Sequence, residues 1–176
     1  MAVGCLMAGT KPSKFREVAN FCNCKTCSMS AFYNAQKEVI PDIMDVADET
    51  VYEARQDSFT TKDETIVSTD ACWDNGRNGS NCVVCAIDAE TQQTIGYKVV
   101  IKEGGKRANV CNYTGPSNMM ESYGLRQIAK DFKGDPNCNI TKFVHNGDNK
   151  CDGVLSEEGF DYENGFGKGH GMKSLE

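Results

Sequence analysis

Between residues 63 and 144 the chain alternates apolar and polar residues in short runs, and one helical stretch breaks that period of two. No other feature restricts the fold as much. Thr65 to Trp73 reads as a first strand, followed by turn chemistry in Asn75-Gly76-Arg77-Asn78-Gly79. Asn81 to Asp88 is the second strand, Ala89 to Gln93 a turn, and Thr94 to Lys102 the third strand. Glu103-Gly104-Gly105-Lys106 closes this antiparallel meander. Ser117 is placed to cap a helix that carries Met120, Leu125, Ile128, Ala129 and Phe132 on one face. Gly134-Asp135-Pro136-Asn137 ends that helix, and the strand Ile140 to Val144 follows.

Three strands, a helix and a further strand are the opening of an RNase H-like α+β fold, a mixed sheet in which the first strand is central and the strand after the helix lies beside it. Two of these strands deliver an acid at or near their ends. Ile66-Val67-Ser68-Thr69 leads to Asp70, and Ile140 to His145 leads through Asn146-Gly147 to Asp148. Mg²⁺ or Mn²⁺ works on a phosphodiester through one or two such carboxylates plus water and phosphate oxygens. The pattern therefore points to a nuclease-type or transposase-type core.

Residues 1–62 read as a helical lead-in, with Phe15, Val18, Ala19 and Cys22 at helical spacing. Ser28 can cap a helix from Ala31 to Ile40, which Pro41 interrupts, and residues 42–56 resume it. Such a pair is either a helix-turn-helix or a cap packed on residues 63–176. The net charge of −6 excludes nucleic-acid binding by bulk electrostatics, although it suits a core that gathers carboxylates. No run approaches the roughly 18 to 20 apolar residues of a membrane span. The apolar opening Ala2 to Gly9 is short and has no basic leader, so a secreted chain is not expected. The ten cysteines are then reduced thiols in the cytosol or nucleus. Cys22, Cys24 and Cys27 are a zinc candidate without a nearby fourth ligand. Cys82 and Cys85 sit in an extended run that sends their thiols to opposite faces.

The segment from Asp70 through Trp73 and Arg77 to Ser80 resembles the first-strand motif of Mutator-like transposase domains. Asn112 to Glu121 resembles the helix-opening motif of that family, Asn146-Gly147-Asp148-Asn149-Lys150 its second acidic motif, and His170-Gly171-Met172-Lys173 its His-x-x-Lys element. The helical lead-in, with Gly9 and Met29, Ser30 and Phe32, is also similar. The resemblance implies a nuclear transposase core that cuts and joins transposon-end DNA with Mg²⁺ or Mn²⁺, works without a membrane, and forms a homo-oligomer in the full-length protein. Asp70 and Asp148 would be the metal ligands, with Glu121 as an additional acid. Trp73, Arg77, Lys150, His170 and Lys173 would face the DNA.

This sequence departs from the family pattern in three ways. Asn146 stands where the family carries an acid, and the zinc insertion of many relatives is reduced to Cys111. The third acid normally lies beyond the His-x-x-Lys element; Asp161 and Glu163 are the nearest substitutes, in glycine-rich surroundings. The expectation is thus a C-terminally incomplete core, inactive alone, or a non-enzymatic transposon remnant. A rival reading is an EF-hand-like calcium loop over 148–159, with Asp148, Asp152, Gly153 and Ser156 at fitting positions but Lys150 and Gly159 at ligand positions.

Overall fold

The computed structural model describes residues 12–77, 79–103, 111–145 and 148–165 (residues 12 and 74–77 by backbone alone). The chain divides into two compact units, Met1–Thr50 and Val51–Glu176. In the first, helix α1 (Pro12–Phe21) ends where Asn23 takes a left-handed φ of 53°, a conformation that Asn tolerates. Helix α2 (Met29–Thr61) starts on Ser28, whose Oγ accepts the Ala31 amide at 3.2 Å, as the sequence leads one to expect. Among the described residues of this unit, Ala19 and Phe32 are the buried apolar ones. Pro41 does not interrupt α2, contrary to expectation. The φ fixed by its ring is itself helical, so the helix continues at the cost of the hydrogen bond that proline lacks.

The second unit takes up the last turns of α2 and a five-stranded sheet of order β3-β2-β1-β4-β5. The strands are β1 (Thr65–Arg77), β2 (Asn81–Asp88), β3 (Thr94–Ile101), β4 (Ile140–His145) and β5 (Tyr162–Asn164). β1 is central, antiparallel to β2 and parallel to β4, and β2–β3 is antiparallel. This is the RNase H-like mixed sheet that the order of elements implies. β1 runs four residues past the expected end at Trp73, to Arg77.

Helix α3 (Met120–Lys133) follows a 3₁₀ turn at Ser117–Met119. Ser117 is not its cap: the N-cap is Met119 and makes no side-chain bond, while Ser117 Oγ accepts from Lys102 Nζ at 3.3 Å. Two elements were not foreseen. Helix α4 (Asn149–Glu158) fills the stretch read as a calcium loop, and β5 pairs parallel with β4 where no strand was expected. α4 overturns the calcium reading. A helix sets loop positions 1 and 12 about 16 Å apart along its axis and turns position 3 to the opposite side, whereas an EF-hand wraps them around one ion. The glycine-rich composition of residues 164–171 reads as a flexible loop, and beyond Gly165 these residues lie outside the described ones.

One face of the sheet carries the helices. Val67, Val84, Ala86, Val100 and Phe143 pack there with Leu125, Ile128 and Phe132 of α3 and Val154 and Leu155 of α4. Each such side chain contributes about 1.5–3 kcal/mol. Phe59, from the last turns of α2, meets Phe132 edge-on at 5.8 Å. α3 comes close because Gly124 and Gly96 leave room: a Cβ on Gly124 would lie 2.6 Å from Val84 Cγ2, and one on Gly96 would lie 2.9 Å from Phe132 Cζ.

Asp88, 1 % exposed at the end of β2, anchors α2 to the sheet. Ser58 Oγ and Lys62 Nζ each donate to Asp88 Oδ2 at 2.7 Å. The amides of Glu90 and Thr91 donate to Oδ1 at 2.9 and 3.2 Å. Burial alone would push this carboxyl up, but the bonds from Lys62, Ser58 and the two amides outweigh burial and hold it well below the usual carboxylate range.

This packing makes three stability predictions. Gly124→Ala, which improves helix propensity, should still lower stability by about 1–3 kcal/mol through overpacking, read from the urea midpoint. Lys62→Met should cost about 2–3 kcal/mol at neutral pH, because Asp88 keeps its charge and loses its cation. The depressed carboxyl contributes its stability above the unfolded-state pKa of about 4 and loses it as pH falls through the folded-state value. The melting-temperature gap between Asp88→Asn and the native chain should therefore be widest at neutral pH and close in acid.

Candidate active site

Asp70 lies on the face of β1 away from the helices. Thr65, Val67 and Thr69 turn inward and are buried, whereas Ile66, Asp70 and Cys72 alternate outward and are exposed. Asp70 sits opposite Cys85 of β2, and its Oδ1 accepts the Ala71 amide at 2.8 Å. β4 runs beside β1 in parallel, with Ser68 opposite Val144. The register therefore takes both Asp70 and the segment leading to Asp148 toward the same end of the sheet.

Asp148 is half-buried and is the N-cap of α4. Its Oδ1 accepts the Lys150 amide at 2.9 Å, and its carbonyl accepts the amides of Cys151 and Asp152 at 2.8 and 3.2 Å. Oδ1 is thus committed to the helix. An Asp after a strand, apolar residues at 151, 154 and 155, and a left-handed Gly159 with φ 76° form a complete helix signature. That signature could have revealed α4 from sequence.

Glu121 stands in the first turn of α3 and is half-buried rather than freely exposed. Its charge reaches two buried thiols. Burial pushes Cys82 up to about 12, with Glu121 and then Cys72 and Cys85 adding to the effect. Burial likewise pushes Cys151 up to about 12, with Glu121, Asp148 and Asp152 adding and Lys150 opposing. Glu121 and Asp148 therefore flank Cys151, near the starts of α3 and α4. Lys150 Nζ ties those starts together by donating to Asn118 O at 2.8 Å. Thiols held this high stay protonated and inert at neutral pH.

The other candidate residues are spread out. Trp73 is half-buried, packs against the core and pairs with Cys82 across the sheet. Arg77 is the last residue of β1; its side chain, like His170 and Lys173, lies outside the described residues. Asp161 is exposed, and Glu163 of β5 forms a 3.1 Å ion pair with Lys142. Cys82 and Cys85 leave β2 on opposite faces, and Cys22, Cys24 and Cys27 are exposed free thiols.

Among the described residues no three His, Cys, Asp or Glu side chains converge on a point that could hold a metal ion. A carboxylate such as Asp70 or Asp148 is the type of ligand that a hard divalent cation takes beside water and phosphate oxygens. Sequence reasoning missed the close approach of His145 and Asp152, whose Nε2 and Oδ1 lie 2.8 Å apart, one at the end of β4 and the other in the first turn of α4. Neither residue belongs to a spacing motif, so pattern alone carried no sign of it. Among the described residues no helix is long and apolar enough to cross a membrane.

A comparison with curated proteins finds no match. The family model for Mutator-like transposase matches residues 1–164 of the 176. With that match over most of its length, the chain belongs to the Mutator-like transposase family.

Proposed function

We propose that residues 63–176 carry a DNA-transposase core that cleaves and transfers transposon-end DNA in the nucleus with Mg²⁺ or Mn²⁺. The observation that carries this reading is the family match on a chain with one motif acid on β1 and the other in the segment after β4, the parallel neighbour of β1. Asp70, exposed on β1, and Asp148, at the head of α4, would hold the metal. When bound, such ions activate the attacking oxygen and stabilise the leaving one.

The chain's own residues supply the remainder. Asp148 keeps one carboxylate oxygen on the Lys150 amide, which fixes the direction of the other. Lys150, bonded to Asn118, holds the starts of α3 and α4 together. Their paired N-termini present partial positive charge, which favours phosphate at that end of the domain. Glu121 stands beside this place as the additional acid. Arg77, Trp73, His170 and Lys173 are the proposed DNA contacts, and local cations of this kind would have to offset the chain's net charge of −6.

Two substitutions separate chemistry from folding. In a protein assembled with its third acid, Asp70→Asn should reduce strand cleavage to less than about one-hundredth while DNA binding in a gel-shift assay is retained. Retained cleavage would exclude Asp70 as a ligand. Asp148→Asn should do the same without loss of melting temperature, because Asn caps a helix about as well as Asp. Asp148→Ala should additionally lose about 1 kcal/mol of stability with the cap.

A further inference from the structure

We propose that the turn between α1 and α2, together with the first turns of α2, is a duplex-DNA contact surface within the first unit. The inference deepens the transposase reading and rests on it. The turn spans residues 22–28 and is closed at both ends. At the α1 end, the amides of Asn23 and Cys24 donate to the carbonyls of Asn20 and Ala19 at 3.0 and 2.8 Å, with Asn23 left-handed. At the α2 end, Ser28 Oγ accepts the Ala31 amide at 3.2 Å. Lys25 and Thr26 are held between these two caps. With Asn20, Asn23 and Cys24 they line a hollow of about 560 Å³.

Met29, Phe32 and Gln36 form the more buried side of α2 at its start. Ser30, Tyr33, Asn34 and Lys37 are exposed at helical spacing, so they make one stripe. All four side chains can donate hydrogen bonds, and none is acidic. On α1, Arg16 is exposed one turn before Asn20, which lines the hollow. Charge changes sign after Lys37. Residues 12–37 carry four cations, Lys14, Arg16, Lys25 and Lys37, against the one acid Glu17. Residues 38–61 carry seven acids against the one cation Arg55.

Duplex DNA fits this pattern. Phosphates take cations, amide side chains and a helix N-terminus, while base edges in the major groove take side chains from the first turns of an inserted helix. Asn34 carries the adjacent donor and acceptor that match adenine. The acids from Glu38 onward repel phosphate, which confines the contact to the start of α2. A protein partner would instead favour the other side of α1, where Lys14 pairs with Glu17 at 3.1 Å and Val18 and Phe21 are exposed. A merely solvated lead-in accounts for exposed cations but not for a stripe and a hollow without acids.

The experiment uses full-length variants. It measures their affinity for a fluorescent duplex of mixed sequence, about three helical turns long, across a salt series, and the sequences they select from a random duplex pool. Lys25→Glu and Lys37→Glu should each weaken binding of the mixed duplex about tenfold, and Lys25→Ala and Lys37→Ala should each reduce the salt slope by about one. Lys130→Glu, the same charge change at an exposed position of α3, should stay within about twofold. Asn34→Ala should keep mixed-sequence affinity within about twofold and relax the selected sequence at one position.

Native affinity in both Lys25→Glu and Lys37→Glu overturns the surface; if Arg77→Glu loses binding in the same assay, the transposase reading stands without it. An equal loss in Lys130→Glu also overturns it, because bulk charge would then explain the effect. So does a lowered melting temperature in Lys25→Ala and Lys37→Ala with the native salt slope, which would make the lead-in a structural cap. Native selection by Asn34→Ala overturns the placement of α2 in the groove. Loss of binding in Lys25→Glu and Lys37→Glu alone, with cleavage retained in Asp70→Asn, upholds the surface while the metal reading of Asp70 falls.

Discussion

β1 hydrogen-bonds an antiparallel neighbour on one side and a parallel neighbour on the other, and the candidate chemistry depends on that double pairing. The antiparallel side is built by short turns. The parallel side requires a crossover, and α3 supplies it. Because the two strands run in the same direction, with Ser68 opposite Val144, the crossover brings the exit of β4 level with the middle of β1. Two acids separated by 78 positions in sequence thus belong to one end of one sheet. Gly124 and Gly96 make the crossover affordable in space, since α3 can only seat itself against β2 and β3 where no Cβ intervenes.

The opposite pole of the sheet is organised by charge. Asp88 is buried beside the start of β1 and holds Ser58 and Lys62 of the segment that precedes it. A buried carboxylate persists when enough donors satisfy it, and here two side chains and two amides do so. One pole of the domain is therefore a saturated acid serving structure. At the other, Asp70 is exposed and Asp148 is partly engaged. Saturation and exposure separate the structural carboxylate from the candidate functional ones.

Much of the sheet was legible in the sequence. The alternation of β2, buried at Cys82, Val84, Ala86 and Asp88, reads directly from a period of two. The same period assigned Cys82 and Cys85 to opposite faces. Errors came where local signals competed. Turn-forming Asn75 and Gly76 concealed the last residues of β1, Pro41 suggested a break that α2 does not make, and carboxylates at calcium-loop spacing concealed a capped helix. In each case a short motif was given more weight than its surroundings, and pairing or packing decided otherwise.

By itself the sequence determined the strand periods, the crossover helix, the two motif acids and the family, because these depend on local alternation and fixed spacing. Tertiary structure decided which partner each polar group takes. Asp148 became a helix cap, Asp88 a buried anchor, and His145 the neighbour of Asp152. Such partnerships join side chains from separate elements, and their distances exist only once those elements have packed.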